Sequence, residues 1–380
     1  MRIVPRSPAI RWFLALAVAL FTMVAFTNPH FSRNYRVGVK DAAYRAPSAV
    51  DGWVRFDAGW YRHIADNGYY YLGDTEQSAV PFFPSYAVAM RAVSQALPVS
   101  SAVAGVAITF VCGLAAAWCF ERWCRQSVSP EAARYAPLVL IVSPYAYYLF
   151  GAVYAEALFL LAALSACLLI EHDRPLLAGI AGAVGSAARP IGIALVVGLL
   201  AVQLQRSRQR GYRRRDCAVA VSAAGFVGYC LFLWIRFGNP LAFAKAEGAP
   251  GWDNTSSLRT WFKFEYFDRI TSWPHGGPEY TSGIVLQSLI GVGLLLVAVA
   301  VARRIGWGYA VYTVGVLLIP IIGSKDFQGM GRYALAAFPS IAVVGEWLAR
   351  RPRFAAVALI LSALLMGFLC NAYARGSYLA

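Results

Sequence analysis

Long apolar runs separated by polar connectors recur along the whole chain. A membrane-spanning helix needs about 20 mostly apolar residues, and this sequence has nine runs of roughly that length. They lie near residues 10–27, 101–120, 135–151, 154–170, 217–236, 281–302, 307–323, 333–349 and 354–372. The pattern predicts an all-α protein that crosses a membrane many times.

Two further segments need separate treatment. The apolar stretch 176–204 is too long for one pass and contains Arg189-Pro190. Because proline ends or kinks a helix, we predict a hairpin of two short helices here, which brings the total to about eleven membrane helices. We predict that the segment 82–98 is a helix lying at the membrane interface, because a crossing there would invert every later loop.

Composition agrees with a polytopic membrane protein. Of 380 residues, 59% are hydrophobic and 14% are charged, whereas charged residues make up about a quarter of a soluble domain. The net charge of +15 comes from basic residues between apolar runs, which does not fit a nucleic-acid-binding face. The seven cysteines lie in or beside apolar runs without a CxxC pair, so neither a disulfide framework nor a zinc site is indicated.

The arginines predict which side each loop faces. Lysine and arginine collect in cytoplasmic loops. With the amino terminus inside, the loops on that side hold 18 basic residues, six of them between Arg206 and Arg215, whereas loops 28–83 and 237–280 on the outer side hold ten basic and eleven acidic residues. This predicts a plasma-membrane protein with a cytoplasmic amino terminus, and the first apolar segment has the features of an uncleaved signal anchor.

We therefore expect one membrane-embedded domain, 1–380, with its chemistry on the outer side. Its first outer region spans 28–100, including the interfacial segment, and its second outer loop spans 237–280. Loops this long are usually functional.

The first outer loop contains a recognisable helix signal. Residues 58–67 are predicted to be helical, with Asp57 at the N-cap and Gly68 at the C-terminal stop. Tyr61 and Ile64 would then share a face that could lie on the membrane. Asp57 has two interpretations at this point, a simple capping residue or a general base at the membrane edge.

Three blocks of sequence resemble a known family. Asp57 through Tyr69, followed by Val80 through Pro84, resembles the first outer loop of the PIG-V mannosyltransferases, with Phe56 in place of the usual Trp. The second block comprises Ser143-Pro144, Phe150 through Phe159, Glu171 and Arg189 through Gly192, and it is similar to family elements in the same order. The third comprises Gly331-Arg332-Tyr333 and Ala337-Phe338-Pro339.

The resemblance implies a GT-C fold and a mannosyltransferase. Such an enzyme takes a sugar from a polyprenyl-phosphate carrier and passes it to a hydroxyl of a lipid-linked or glycan acceptor outside the cytoplasm. A lipid-borne donor suits an outward-facing site, because nucleotide sugars are not supplied there. A lipid or sugar transporter or flippase is the alternative, although such proteins usually place charges in broken helices near the midplane.

Inverting sugar transfer needs a base and a cation for the leaving phosphate. We predict Asp57 as the base. Arg332 and Arg189 are predicted to bind the donor phosphate, with assistance from His63. Each arginine could instead pair or snorkel at the interface, and His63 could simply be solvated.

Glu156 lies near the outer end of a membrane helix, where an ionised group needs a partner or a cavity. It could hold Arg189 or orient an acceptor. Four aromatic residues of the three blocks are predicted to contact substrate: Trp60, Tyr61, Tyr154 and Tyr333.

Other outer residues have less specific interpretations. Asp326 and Lys325 could be interfacial charges. Trp252, Trp261 and Trp273 could stack on sugars, but an aromatic belt at the membrane surface is the preferred interpretation. No metal-ligand cluster is evident, and a divalent cation would need ligands beside Asp57 that the sequence does not identify.

Overall fold

A computed structural model describes residues 7–27, 44–254, 257–272 and 278–377. In these ranges the regular elements are helices. The longer helices are α1 (Pro8–Thr27), α3 (Ala58–Asn67), α4 (Pro84–Ala96), α5 (Ser101–Ser127), α6 (Pro130–Ile141), α7 (Glu156–Glu171), α8 (Pro175–Ser186), α9 (Gly192–Arg210), α10 (Ala224–Phe237), α13 (Phe264–Thr271), α14 (Pro278–Arg304), α15 (Trp307–Gly323), α17 (Phe338–Ala349) and α18 (Pro352–Ala374). The short α-helices are α2 (Ser48–Asp51), α11 (Ala242–Ala246), α12 (Leu258–Trp261) and α16 (Met330–Ala334), and 3₁₀ helices cover Ala146–Leu149 and Arg214–Ala223.

Every predicted apolar segment overlaps a helix, so the all-helical prediction is confirmed for the described residues. Within the described ranges, five helices are long and apolar enough to cross a membrane: Pro8–Thr27, Ser101–Ser127, Arg214–Phe237, Tyr280–Arg304 and Pro352–Ala374. Shorter apolar helices include Pro175–Ser186, Trp307–Gly323 and Phe338–Ala349. The total of about eleven membrane passes stays a prediction.

Prolines set two boundaries differently from the predicted ranges. The helix expected over 135–151 ends at Ile141, and a 3₁₀ helix follows only after Ser143-Pro144. The helix expected over 333–349 begins at Phe338 with Pro339 in its first turn, where a missing N–H costs nothing.

The predicted hairpin at 176–204 is present as two helices. Helix α8 ends at Ser186 and α9 begins at Gly192, and Arg189-Pro190 lies in the turn between them. A Cβ on Gly192 would lie 2.5 Å from the Cα of Ser186. A larger residue at 192 would therefore force this tight turn open.

The segment predicted to be interfacial forms the 13-residue helix α4. At 1.5 Å per residue it extends only about 20 Å, which is short of the roughly 30 Å hydrocarbon core. Tyr86, on its buried face, donates to the Gly105 carbonyl of α5 at 2.8 Å. Helices α6, α8 and α17 are equally short, so length does not decide whether α4 spans, and its interfacial location stays a prediction.

Helix α3 has the predicted bounds, Ala58–Asn67, and Gly68 follows with a φ of 88°. The expectation that Tyr61 and Ile64 face the membrane was wrong. Both are buried within the protein, with 6% and 4% of their surface exposed, because the first outer loop folds back onto the helix bundle.

Three helices run between the same two ends of the molecule. At one end, the starts of α7 and α9 and the end of α15 meet. At the other end lie the arginine-rich end of α9, where Arg206 pairs with Glu171 of α7, and the start of α15, where Gly308 N–H donates to Gln205 Oε1 at 2.7 Å. Residues 28–43 of the first outer loop and Trp273 lie outside the described residues.

Candidate active site

A cavity of about 660 Å³ lies at the end of the bundle opposite the arginine-rich end. Its wall combines both outer loops, the α8–α9 turn and the chain between α15 and α17. The charged and polar lining residues include Asp57, Tyr61, Gln77, Glu156, Arg189, Glu247, Asn254, Ser324, Asp326, Gln328, Arg332 and Tyr333. The structure thus gathers into one cavity residues that are more than 270 positions apart in the sequence.

The turn before α3 is held rigidly. Buried Arg55 pairs with Asp51 at 3.1 Å and donates to the Ala374 carbonyl of α18 at 2.9 Å. Phe56 has a left-handed φ of 50°, a strained conformation for a non-glycine residue that persists only where the surroundings impose it. The Asp57 N–H donates to the Tyr154 hydroxyl at 3.1 Å, so this turn sets the position of the Asp57 carboxylate.

The Asp57 carboxylate is not a helix cap. It occupies the N-cap position, but its side chain makes no capping hydrogen bond. Arg332 Nη1 instead donates to Asp57 Oδ2 at 2.9 Å. Both residues line the cavity, so the simple capping interpretation of Asp57 was wrong, and its role as a general base stays a prediction.

Arg332 sits on the five-residue helix α16, whose location depends on glycine. Gly329 precedes the helix with a φ of 82°, a conformation that glycine adopts at little cost. A Cβ on Gly331 would lie 2.3 Å from the Tyr145 ring. This close approach lets the Arg332 guanidinium lie over the Tyr154 ring, 5.1 Å from its centroid.

Glu156 and Arg189 form a buried ion pair, as one of the sequence interpretations predicted. Arg189 Nη2 lies 3.1 Å from Glu156 Oε1, and the two side chains are 6% and 2% exposed. The Arg189 guanidinium also lies over the Tyr333 ring at 4.2 Å. Arg332 approaches the same Glu156 oxygen at 3.8 Å, so two carboxylates and two guanidinium groups form one network.

Two atoms of this network have no hydrogen-bond partner within the described ranges. They are Glu156 Oε2 and Arg332 Nε. Unpaired buried polar atoms are uncommon in native proteins. Here they belong to charged side chains on a cavity wall, which suits a site that receives a polar ligand.

Three predicted site residues lie away from the cavity lining. Trp60 is fully buried and stacks on Phe82 at 5.5 Å, so it supports the wall from behind. Tyr154 is also buried and acts on the site through the Asp57 backbone. His63 packs edge-on against Tyr70 at 5.1 Å. Their predicted direct contacts with substrate or phosphate remain predictions.

Three further residues of the cavity lining had another preferred interpretation, or none, in the sequence. Trp252 lines the cavity, contrary to the membrane-belt interpretation, whereas Trp261 is 54% exposed. Asp326 is 1% exposed and accepts from Tyr280 at 2.7 Å, so it is not an interfacial charge. Glu247 had no distinguishing sequence signal.

The environment shifts two pKa values at the outer-loop wall. Burial, reinforced by the charge of Glu156, raises the pKa of Tyr61 well above its ordinary value, so its hydroxyl stays protonated. Burial and the charge of Asp57 raise the pKa of Glu247, opposed by its hydrogen bond from Asn254 and by Arg332. No cluster of three or more His, Cys, Asp or Glu side chains suited to a metal ion occurs within the described residues.

Comparison with solved structures identifies the fold. The ArnT protein from Cupriavidus metallidurans, solved bound to undecaprenyl phosphate, superposes with a TM-score of 0.53 at 12% identity, covering 99% of this chain and 77% of that one. The Archaeoglobus fulgidus oligosaccharyltransferase tethered to an acceptor peptide gives a TM-score of 0.50 at 14% identity, over 97% of this chain and 55% of that one. The chain thus spans about half the length of the oligosaccharyltransferase. Both similarities are to membrane proteins with the GT-C fold.

Sequence comparison supplies the family. No curated protein matches the chain, but the family model described as Mannosyltransferase (PIG-V) matches residues 11–236. This range holds the cavity residues Asp57, Glu156 and Arg189. Because the match covers more than half of the sequence, the chain belongs to the PIG-V mannosyltransferase family, and its helices have the GT-C arrangement that the resemblance implied.

Proposed function

We propose that this protein is a membrane glycosyltransferase that moves a mannosyl group from a polyprenyl-phosphate donor to a hydroxyl of a lipid-linked or glycan acceptor. One observation carries the proposal. A carboxylate, Asp57, and two guanidinium groups, Arg332 and Arg189, line the same cavity. These are the groups that hydroxyl activation and a phosphate leaving group require.

The proposed reaction is an inverting displacement. Asp57 takes the proton from the acceptor hydroxyl as its oxygen bonds to the anomeric carbon of the donor sugar. The bond between that carbon and the phosphate oxygen breaks, and its electron pair stays on the polyprenyl phosphate. Positive charge develops on the sugar ring in the transition state, and the carboxylates of the cavity wall would stabilise it.

Arginine is well suited to the leaving phosphate. Its planar guanidinium binds phosphate oxygens in pairs, and Arg332 and Arg189 are held at the wall through Asp57 and Glu156. Arg332 Nε has no hydrogen-bond partner among the described residues, so it can donate to the donor phosphate while Nη1 keeps its bond to Asp57 Oδ2. Asp57 Oδ1 then faces the acceptor hydroxyl.

The solved neighbour with undecaprenyl phosphate bound lends support to a polyprenyl-phosphate donor for this chain. An apolar groove lined by Ile270, Val285 and Leu289 at the outer half of α14 offers a surface for acyl or prenyl chains.

We propose that the cavity faces away from the cytoplasm, in a plasma membrane with the amino terminus inside. The arginine run 206–215 lies at the opposite end of α9 from the cavity. Arg303 and Arg304 likewise end α14 beside the start of α15. The positive-inside rule assigns such arginine-rich ends to the cytoplasm.

The test is reconstitution of the purified protein in proteoliposomes with polyprenyl-phosphate-mannose and a lipid-linked sugar acceptor, with and without EDTA. We expect mannosylated product, and Asp57→Asn should lower its rate of formation about 10²- to 10⁴-fold, the usual contribution of a positioned base. Asp74→Asn is the matched control, because Asp74 is an exposed carboxylate of the same outer loop.

Sugar transfer that survives Asp57→Asn unchanged would overturn the mechanism. Movement of labelled donor across a sealed vesicle without product would instead identify a transporter or flippase.

A further inference from the structure

The second outer loop forms a fixed wall of the cavity. Its helix α11 buries Ala242 and Ala246 in a small cluster with Phe83 of the first outer loop and Leu233 of α10. Beyond the helix the chain turns back on itself, and Asn254 donates to Glu247 twice, from its N–H to the carbonyl at 2.9 Å and from its amide to Oε2 at 3.0 Å.

Two further contacts tie this turn to other parts of the cavity wall. Gln77 Nε2 of the first outer loop donates to the Pro250 carbonyl at 3.3 Å. Lys325, in the turn after α15, pairs with Asp253 at 3.2 Å. Gly251 has a φ of 93° and lies against the Gln77 amide. The turn is therefore held from both sides.

Three side chains of this turn line the same cavity as Asp57: Glu247, Trp252 and Asn254. The Trp252 ring is braced from behind, with its centroid 5.6 Å from Trp60 and 6.0 Å from Phe82. Glu247 is half-buried, and the charges of Asp57 and Arg332 both act on it. A carboxylate, an amide and an indole thus face the space next to the proposed base.

These groups suit a carbohydrate. Carboxylate oxygens accept hydrogen bonds from hydroxyl groups, and an amide both donates and accepts. A braced indole offers an apolar face to the C–H side of a ring. Sites that combine apolar rings with a few fixed polar groups are typical of small-ligand recognition.

The charge balance of the wall restricts which carbohydrate fits. Among the described residues, four carboxylates line the cavity, Asp57, Glu156, Glu247 and Asp326, against two guanidinium groups, Arg189 and Arg332. Both guanidinium groups are assigned to the donor phosphate. Two cations next to the lining are already paired, Arg269 with Asp326 at 3.6 Å and Lys325 with Asp253 at 3.2 Å. An anionic group on the acceptor would therefore be repelled by the Glu247 carboxylate.

We propose that Glu247, Trp252 and Asn254 form the acceptor subsite, which binds a sugar ring that carries no phosphate or carboxylate group. The subsite rests on the proposed transferase function and completes it. Glu247 accepts hydrogen bonds from the acceptor hydroxyls, Trp252 covers one face of the ring, and the hydroxyl to be glycosylated points toward Asp57.

Binding of small probes to the protein in nanodiscs tests the subsite without requiring catalysis. Octyl mannoside and its 6-phosphate derivative are titrated by calorimetry, and undecaprenyl phosphate is supplied in the nanodisc lipid. We expect the uncharged mannoside to bind at least tenfold more tightly than its phosphate. Glu247→Gln should weaken mannoside binding about tenfold, as expected for loss of a charge-assisted hydrogen bond, and Trp252→Ala should do the same.

Undecaprenyl phosphate should bind both variants as it binds the unmodified protein, which also shows that they are folded. Asp268→Asn is the matched control, because this carboxylate of the same loop is exposed and lies outside the cavity lining. Mannoside binding unaffected by Glu247→Gln, or tighter binding of the phosphorylated probe, would overturn the subsite.

The two proposals can be rejected independently. If mannoside binding depends on Glu247 but the protein transfers no sugar, the subsite proposal stands and the transferase proposal is rejected. If the protein transfers sugar but Glu247→Gln does not change the KM for acceptor, the transferase proposal stands and the subsite proposal is rejected.

Discussion

The two ends of the molecule carry similar charges in different settings. At the cavity, the side chains of Asp57 and Arg332 are 14% and 11% exposed, and Glu156 is 2% exposed. At the arginine-rich end, Arg213 pairs with Asp173 at 2.7 Å, but these side chains are 50% and 30% exposed. The cavity cluster is enclosed by protein, whereas Arg213 and Arg215 at the other end are about half exposed.

The two clusters differ in burial, which indicates that they have different roles. Exposed pairs contribute little to stability, and arginine-rich ends of membrane helices commonly set orientation and contact anionic lipid. Buried pairs are costly unless every charge is compensated. At the cavity wall, the unpaired atoms Glu156 Oε2 and Arg332 Nε are available to a polar ligand.

The largest expected effect is the loss of stability when the buried Glu156–Arg189 ion pair loses one partner. Glu156→Gln leaves Arg189 without its carboxylate and should lower the free energy of unfolding by about 3–5 kcal/mol, measured as a fall in Tm in detergent. Arg213→Gln at the other end removes a half-exposed side chain with one ion-pair partner and should cost about 1 kcal/mol or less. Equal losses from the two variants would contradict the contrast between the two ends.

The next effect is on catalysis. Arg332→Gln should lower the turnover number about 10²- to 10³-fold, the typical contribution of one group that stabilises developing negative charge. Arg213→Gln serves as the control at the exposed end and should leave turnover unchanged. An Arg332→Gln variant with unchanged turnover would remove this residue from phosphate stabilisation.

A smaller effect should follow from adding a methyl group where helix α16 packs closely against the Tyr145 ring. Gly331→Ala places a methyl group against the Tyr145 ring, and overpacking of this kind typically costs about 1–3 kcal/mol. Helix α16 would shift, so donor affinity should fall along with Tm. Gly293→Ala, on α14 with open space around its Cβ position, should change neither quantity.

The smallest effect is a pH dependence of acceptor affinity. Burial and the charge of Asp57 raise the pKa of Glu247, so this group takes up a proton at a pH where an ordinary glutamate is still ionised. Acceptor affinity should be full above the raised pKa and fall as the pH drops through it. The KM for acceptor, measured against pH, should lose this component in Glu247→Gln, and an unchanged profile would contradict the role of Glu247.

Sequence reasoning located the parts of the site that lie in continuous motifs. The bounds of α3, the break at Arg189-Pro190 and the pairing of Glu156 with Arg189 follow from helix signals and from the cost of a charge in a membrane helix. The pairing of Asp57 with Arg332 spans 275 positions, and local pattern contains no information about contacts of that range.

The locations of aromatic and isolated charged residues in the outer loops were harder to predict from the sequence. Trp252 was expected to lie in a membrane belt but lines the cavity, whereas Trp60 is fully buried and its predicted contact with substrate stays a prediction. An aromatic side chain can pack against protein, lipid or sugar equally well. Only the tertiary fold therefore determines which of these it contacts. Glu247 belongs to no periodic pattern, and only the folded loop brings it beside Asp57.

Labelling of position 57 from each side of the membrane tests the central claim most directly. Asp57→Cys would be treated in intact cells with a small membrane-impermeant methanethiosulfonate reagent. Exposed Cys217, at the arginine-rich end, serves as the internal reference. We predict that Cys at position 57 is modified in intact cells and that Cys217 reacts only after permeabilisation. Modification of Cys217 in intact cells, with position 57 reacting only after permeabilisation, would contradict an outward-facing Asp57 as the base.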